Sequence, residues 1–275
     1  MPESAERQEQ GGQAPDRPKT LQIDLQTRYG RIKGNLSVPP GAVRLAEMAW
    51  NAMAIDERLI GMAVASEAKQ GRQVSCKKGC GACCRQAVPL SPAEAWMIAD
   101  VVASLPPDRK AEALARFATA KQRLADAGFG ERSLHHAGEQ EVLRLGLDYF
   151  KLGIPCPFLV DESCSIHPNR PSACREFLVS SPAENCSDPG ANGVRSIPTA
   201  ANLTEALSKL SALVMGGDPR TIPMTLALEW AAANRDEGVK RYDPTLLLTA
   251  LVEFLGSSRP AEPSIGPSAD PLASS

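Results

Sequence analysis

The chain has 275 residues, of which 43% are apolar and 4% aromatic, and its formal net charge is −2 at pH 7. This apolar content is enough for a buried core that does not depend on metal. The small net charge, the few aromatic side chains and the lack of long lysine or arginine runs argue against nucleic-acid binding and against a role on anionic membranes.

The first residues, MPESAERQEQGGQAPDRPKT, are polar and lack the apolar stretch of a secretory signal. No window of the sequence reaches the roughly 18 to 20 apolar residues of a membrane span. We therefore expect a cytoplasmic protein. In that reducing compartment, clustered cysteines indicate metal binding or redox chemistry rather than a disulfide framework.

Residues 1–19 and 257–275 are polar, and we predict that both are disordered tails. Residues 20–256 are predicted to form a single cysteine-cluster domain with its motif core at 72–186. Alternating apolar residues within 21–41 predict a small β-hairpin. Helical periodicity over 43–70 then predicts a long helix that ends at Gly71.

A second helix has a clear start signal. Ser91 at the N-cap, Pro92 at the first position and Glu94 at the third form a capping box, which predicts a helix to about Leu105. Further helices are predicted over 108–128, closed by Gly128, and at about 138–151, 201–215, 224–236 and 244–255. Residues 153–177 have no helical period. The predicted fold class is mainly α with a small β-hairpin, with irregular cysteine-rich metal-binding loops packed on helices.

Four of the eight cysteines lie in the segment CKKGCGACC, residues 76–84. Thiolates are soft ligands suited to Zn²⁺, Cu(I) or iron–sulfur clusters, and short spacings let one loop fold round one centre. Cys76, Cys80 and Cys83 have such spacings, and the two glycines between them permit tight turns. Cys84 follows directly. Because neighbouring side chains project differently, Cys83 and Cys84 could serve different centres or bridge two metals.

The other four cysteines, Cys156, Cys164, Cys174 and Cys186, are spaced more widely. Together the two groups supply eight thiols, enough for two four-coordinate centres or for one cluster with spare thiols. Cys186 lies furthest out and could be a bystander.

Charged residues near the cysteines could offset thiolate charge or could simply be solvated; they are Lys77, Lys78, Arg85, Arg170 and Arg175. Among these, Arg175 has the best claim to an inward role. His167 could bind metal or carry a proton, although we favour a hydrogen-bonded loop histidine.

Three segments in order, CKKGCGACC, CPFL at 156–159 and CSIHPNRPSACREF at 164–177, resemble the YkgJ-type cysteine-cluster family. Members of that family carry a CxxCxxCC signature and are described as zinc- or iron-chelating. The resemblance covers about residues 72–180 and implies metal chelation. The matching positions are Cys76, Cys80, Cys83, Cys84, Cys156, Cys164, Arg170, Pro171, Cys174, Arg175 and Phe177. Two departures are a first gap of three residues rather than two, and His167 at a position where an aromatic residue is expected.

Other protein classes use similar spacings. The x₃–x₂ interval also occurs in radical S-adenosylmethionine enzymes, but here a predicted helix precedes the motif and Ala82 stands where those enzymes carry an aromatic residue. A protein-modifying methyltransferase-like enzyme is a further alternative, although no Gly-rich cosubstrate loop is present. A structural or metal-handling zinc domain is the main competitor. A redox switch would use the same thiols.

We interpret the chain as a cytoplasmic protein that binds an iron–sulfur cluster or iron through clustered thiolates, with a redox role open. Zinc is the alternative metal. The sequence identifies no catalytic residue, no substrate and no protein partner, and it predicts neither a nucleic-acid nor a membrane partner. The candidate metal ligands are Cys76, Cys80, Cys83, Cys84, Cys156, Cys164, Cys174 and Cys186.

Overall fold

The computed structural model describes residues 19–77, 79–129, 139–189 and 193–258, with the backbone alone for 139–143. The predicted tails, 1–19 and 257–275, lie almost wholly outside the described residues, as does Lys78. The division into one domain and two tails therefore stays a prediction.

The predicted hairpin is present. Strand β1 (Thr20–Thr27) pairs antiparallel with β2 (Gly30–Ser37), and a two-residue turn joins them. Ile23, Leu25 and Ile32 are buried, so one face of the hairpin packs on the helices. Gly30 closes the turn with φ +121°, a backbone conformation that residues other than glycine rarely adopt.

Helices form most of the described structure, which confirms the mainly α fold class. Three of them correspond to the predictions in the first half of the chain: α1 (Leu45–Lys69), α2 (Pro92–Ala103) and α3 (Pro107–Asp126). Gly71 and Gly128 follow α1 and α3 with φ +73° and +76°, as expected of residues that end helices. The Ser91 hydroxyl accepts a hydrogen bond from the Glu94 amide, so the capping box of α2 is confirmed.

The second half of the chain completes the core. Its main helices are α4 (Glu139–Lys151), α5 (Ser172–Glu176), α6 (Leu203–Met215), α7 (Ala227–Ala233), α8 (Arg235–Gly238) and α9 (Pro244–Ser257). Helix α2 contacts α1, α6 and α7, and α9 contacts α6 and the hairpin. One hydrophobic cluster therefore runs from Ile23 to Leu255.

The structure differs from the sequence prediction at 224–236. A 3₁₀ turn at Met224–Leu226 precedes α7, and the helix breaks before α8. At the break, both the backbone amide and the side-chain amide of Asn234 donate to the Trp230 carbonyl, at 3.0 and 2.8 Å. A side chain that bonds to a backbone carbonyl competes with the hydrogen bonds of the helix, and such competition favours the end of a helix at this position.

Residues 153–177 also contain more regular structure than predicted. Strands β4 (Leu159–Val160) and β5 (Ser163–Cys164) form a small hairpin, followed by a 3₁₀ turn at His167–Asn169 and by α5. Asp161 and Glu162 have φ of 47° and 54°, the left-handed conformation that a two-residue hairpin turn requires. Elsewhere, β3 (Pro89–Leu90) pairs with β6 (Ile222–Pro223). Within the described ranges, no helix is both long enough and apolar enough to cross a bilayer.

Candidate metal centre

The CKKGCGACC segment folds as a tight loop. Gly79 has φ +85°, and a 3₁₀ turn at Ala82–Arg85 carries Cys83 and Cys84. The Cys84 amide donates to the Gly81 carbonyl at 3.0 Å. A Cβ at Gly81 would lie 2.5 Å from Glu162 Oε2 and 2.8 Å from Leu159 Cδ1. The loop therefore packs directly on the β4–β5 hairpin, and a larger residue here would require the Glu162 and Leu159 side chains to shift.

The same hairpin region carries two of the later cysteines. The Cys156 amide donates to the Cys84 carbonyl at 2.6 Å, and Cys164 is paired with Leu159 in the hairpin. Arg85 joins the two segments through an ion pair with Glu162, whose N–O distance is 2.6 Å. Residues about 70 positions apart in the sequence are thus held in direct contact.

A buried carboxylate positions Cys174. One Glu94 oxygen accepts hydrogen bonds from the amide and the hydroxyl of Ser91, and the other accepts from the amide and the hydroxyl of Ser172, at 2.6 to 2.9 Å. Ser172 is the first residue of α5. Glu94 therefore caps α2 and α5 together and fixes the short helix that carries Cys174.

Cys186 lies in a 3₁₀ turn at Ala183–Ser187, which contacts the turn that carries Cys83 and Cys84. It is the most buried of the eight cysteines, at 5% exposure, whereas Cys76 is exposed. The structure therefore brings Cys186 beside the first group and not to the periphery.

All eight cysteines line one cavity of about 1260 Å³. Its other walls include Phe158, Phe177 and Met224, and it extends to Ser208 and Arg220. Among the described residues, no three His, Cys, Asp or Glu side chains converge on a single metal-sized point. The donor set fits a soft metal in type and number, and the thiols would have to move closer together to ligate it.

The environment of the thiols differs from one cysteine to the next. The hydrogen bond with Cys84 lowers the pKa of Cys83 to about 7, assisted by Arg170 and opposed by burial. The same bond raises the pKa of Cys84. Burial raises the pKa of Cys156 to about 12 and that of Cys186 to about 11, and it raises the pKa of Cys174 strongly. Most of these thiols therefore release a proton on binding metal.

The cations near the site have different roles. Arg170 lines the cavity, and its buried Nε has no hydrogen-bond partner among the described residues. Burial raises the pKa of Cys76, Cys164 and Cys174, and the charge of Arg170 opposes that rise. At Cys83 the same charge adds to the lowering by the Cys84 hydrogen bond, so Arg170 is placed to offset negative charge on the cysteines.

The remaining predicted cations have other partners or stay in solvent. Arg175 does not line the cavity; it donates to the carbonyls of Arg170 and Pro168 and so stabilises the loop. Arg85 is paired with Glu162, and Lys77 is exposed at the cavity wall. His167 also lines the cavity and is exposed.

The sequence prediction missed a set of buried polar groups behind α5. Asp56 and Glu176 face each other there, and Glu176 Oε1 accepts from the Leu203 amide at the start of α6. Glu94 was recognised only as part of a local capping box. The available signal for Asp56 was its position, since it shares one face of α1 with the buried Ala52, Leu59 and Ala63.

The fold and the site define a helical protein with eight thiols around one cavity. Residues 75–191, which include every cysteine, match the model of the family described as "CxxCxxCC: Putative zinc- or iron-chelating domain". The resemblance inferred from the sequence is confirmed over this part of the chain. The family description supports metal binding. Comparisons with curated proteins and with solved structures gave no match.

Proposed function

We propose that this chain is a cytoplasmic metal-binding protein that holds iron, as an iron–sulfur cluster or as the ion, through its clustered cysteine thiolates. The observation that carries the proposal is the gathering of all eight cysteines around one cavity. Iron–sulfur clusters and zinc both take thiolate ligands. The sequence has one CxxC element, Cys80 to Cys83, and not the pair of such elements that is common in zinc sites, and for this reason we favour iron.

The residues of the chain prepare the cavity for such a group. The cysteines would supply the ligands, Arg170 would offset their negative charge, and apolar side chains such as Phe158 and Phe177 would limit access of water. When bound, an iron–sulfur cluster supplies one-electron chemistry, which would give the protein a redox role.

The test is to purify the full chain without oxygen, record its visible spectrum and quantify iron, sulfide and zinc per chain. Brown protein with matched iron and sulfide would support a cluster. Iron without sulfide would support a mononuclear or oxo-type site. Colourless protein with stoichiometric zinc would overturn the iron assignment in favour of a zinc domain.

Two substitutions test the ligands individually. Cys83→Ala and Cys174→Ala should each lower metal content and thermal stability together, because metal binding stabilises the folded chain. Full metal retention in either variant would remove that residue from the ligand set.

Exposure of Cys76 favours a second candidate function, metal handling. An exposed thiol can begin ligand exchange with a chelator or with another protein. In that case a thiol chelator should remove metal from the folded protein within minutes, and Cys76→Ser should slow the removal. Metal that is released only when the chain unfolds would exclude this function.

A further inference from the structure

The main cavity has a wall that is separate from the cysteine segments. Among the described residues that line the cavity, those of α6 and of residues 219–224 include no cysteine. We call this part the α6 wall, and its members used below are Thr204, Glu205, Ser208, Arg220 and Met224. The Met224 amide donates to the Val88 carbonyl at 2.9 Å, which holds the α6 wall against the segment that follows Cys84.

The α6 wall begins beside the helix that carries Cys174. The hydroxyls of Thr204 and Ser172 lie 2.7 Å apart, and Ser172 is the first residue of α5. Ser208 follows Thr204 after about one helical turn, which corresponds to about 5.4 Å along α6. The wall therefore adjoins the thiol site and continues along α6.

The cavity is larger than a metal group needs. Thiolate sulfur binds zinc at about 2.3 Å, so a group held by thiolates spans only a few ångströms. Sites for small organic molecules have volumes of about 300–1,000 Å³, and this cavity has about 1260 Å³. A small organic ligand therefore has room beside a metal group.

Ser208 presents an unused polar group to the cavity. Its side chain is only 3% exposed, and its hydroxyl has no hydrogen-bond partner among the described residues. By contrast, the buried hydroxyl of Ser211 on the same helix donates to the Leu207 carbonyl at 2.7 Å. A buried polar group without a partner is unfavourable, and a ligand atom in the cavity would supply the missing bond.

Arg220 adds a positive charge to the same wall. It is exposed, and it forms no ion pair with an acidic side chain in the part of the chain that the structure describes. Asp218, two residues earlier, does not line the cavity. The nearest acidic member of the wall in sequence, Glu205, is already paired with Lys209, with an N–O distance of 2.6 Å.

The other acidic side chains that line the cavity also have partners. Glu162 is paired with Arg85 at 2.6 Å. Glu176 accepts from the Leu203 amide at 2.8 Å and is buried. Arg220 is therefore free to pair with an anion from solution.

We propose that the α6 wall binds a small organic acid. Its carboxylate pairs with the Arg220 guanidinium, whose planar group of donors matches a carboxylate. A polar atom of the ligand bonds to the Ser208 hydroxyl, and its apolar body packs against Met224. The single unpaired cation of this wall favours a singly charged carboxylate over a phosphate. This site goes beyond the proposed metal binding, because it places an organic ligand next to the thiols.

The test measures binding of benzoate and hexanoate to the full chain by saturation-transfer NMR, with uncharged benzamide for comparison. Benzoate should bind about tenfold more tightly than benzamide, because only benzoate carries the charge that pairs with Arg220. Arg220→Gln should weaken benzoate binding about tenfold and remove this preference. Ser208→Ala should weaken binding about threefold.

Two matched variants control for indirect effects. Arg109→Gln removes an exposed arginine from α3, and Ser211→Ala removes a buried hydroxyl of α6 that does not line the cavity. Both should bind benzoate as wild type does, and circular dichroism checks that every variant is folded.

Metal content separates this inference from the proposed function. Arg220→Gln and Ser208→Ala should retain the metal of wild type, and loss of metal from folded Arg220→Gln would overturn the separate site. Failure of wild type to bind either acid, equal binding of benzoate and benzamide, or unchanged benzoate binding in Arg220→Gln would overturn it as well. These binding results leave the proposed metal site unaffected, whereas a wild-type chain without metal would refute that function alone.

Discussion

Asp56 is completely buried in α1, and neither of its carboxyl oxygens receives a hydrogen bond from an N–H or hydroxyl donor among the described residues. Its neighbour is the carboxyl of Glu176, so the two groups must share a proton. Burial raises the pKa of Asp56 to about 7, and burial together with Asp56 raises that of Glu176. Arg175 partly opposes the effect on Asp56, whereas Glu94 and Glu57 add to it.

This pair should make stability fall as pH rises. The unfolded chain releases the Asp56 proton near pH 3.8 and the folded chain near 7, so the folded state binds more protons between these values. One such group changes the free energy of unfolding by at most about 1.4 kcal/mol per pH unit. Asp56→Asn should reduce the change of the unfolding free energy with pH. Urea unfolding of metal-free protein at several pH values measures this change. Glu253→Gln, on the exposed face of α9, is the control, and an unchanged pH slope in Asp56→Asn would contradict the assignment.

Arg170 is the second residue whose environment predicts a measurable effect. Its charge acts on the thiols of Cys83 and Cys164, and its buried Nε has no hydrogen-bond partner among the described residues. Arg170→Met should weaken metal affinity about tenfold, because residues that support ligands typically contribute on that scale. Competition with a chelator gives the affinity. Arg170→Lys should recover part of the loss if charge is responsible, and Arg109→Met on the exposed face of α3 should change nothing.

Among the elements, α5 has only five residues, too few to be stable alone. Buried carboxyl groups hold both of its ends. Glu94 accepts from Ser172 at the start, and Glu176 at the end accepts from Leu203 of α6. The orientation of Cys174 therefore depends on contacts with α2 and α6 and not on the local sequence.

Glu94→Gln should disturb α2, α5 and the metal site together. In glutamine, an NH₂ group replaces one carboxyl oxygen and would face the N–H and hydroxyl donors of Ser91 or Ser172. Because a donor cannot bond to another donor, a buried group would lose its partner, which costs about 1–3 kcal/mol. Chemical unfolding should show a loss of about 2 kcal/mol, with lower metal content. Glu112→Gln, an exposed partner of Arg116 on α3, should remain within roughly 0.5 kcal/mol of wild type. Equal effects of the two substitutions would argue against the double capping role.

At the scale of the whole molecule, the metal site and the apolar core are separate sources of stability. The core is formed by the hairpin and by α1, α2, α6, α7 and α9, whereas the cysteine segments join residues 76–84 to 156–186 at one side. Metal that binds only the folded state stabilises that state, and it orders mainly the segments that supply ligands.

Removal of metal by a chelator should therefore lower the melting temperature by roughly 10 °C, if binding contributes about 4 kcal/mol. Hydrogen exchange should increase mainly in residues 76–84 and 156–186, while α1, α2 and α9 stay protected. Loss of protection throughout the chain would instead mean that the core cannot fold without metal.

The fold class and most helix positions were predictable from the sequence because they depend on local patterns. Apolar periodicity located α1, α3 and α9, and the Ser91–Glu94 capping box located the start of α2. The cysteine spacing and order likewise identified a metal-chelating family before the structure was known. Local signals failed at Asn234, where a side-chain hydrogen bond ends the helix, and in α5, which tertiary contacts hold together.

The sequence by itself determined the mainly helical fold, the eight candidate ligands and the soft-metal chemistry of thiolates, since each follows from residue type and spacing. Only the tertiary structure decided which cysteines are neighbours, because the CKKGCGACC segment meets Cys156 and Cys186 through contacts between residues far apart in the chain. It also decided that Arg170 faces the thiols while Arg175 binds the loop. Sequence spacing cannot reveal either result, because both depend on packing between segments that are distant in the chain.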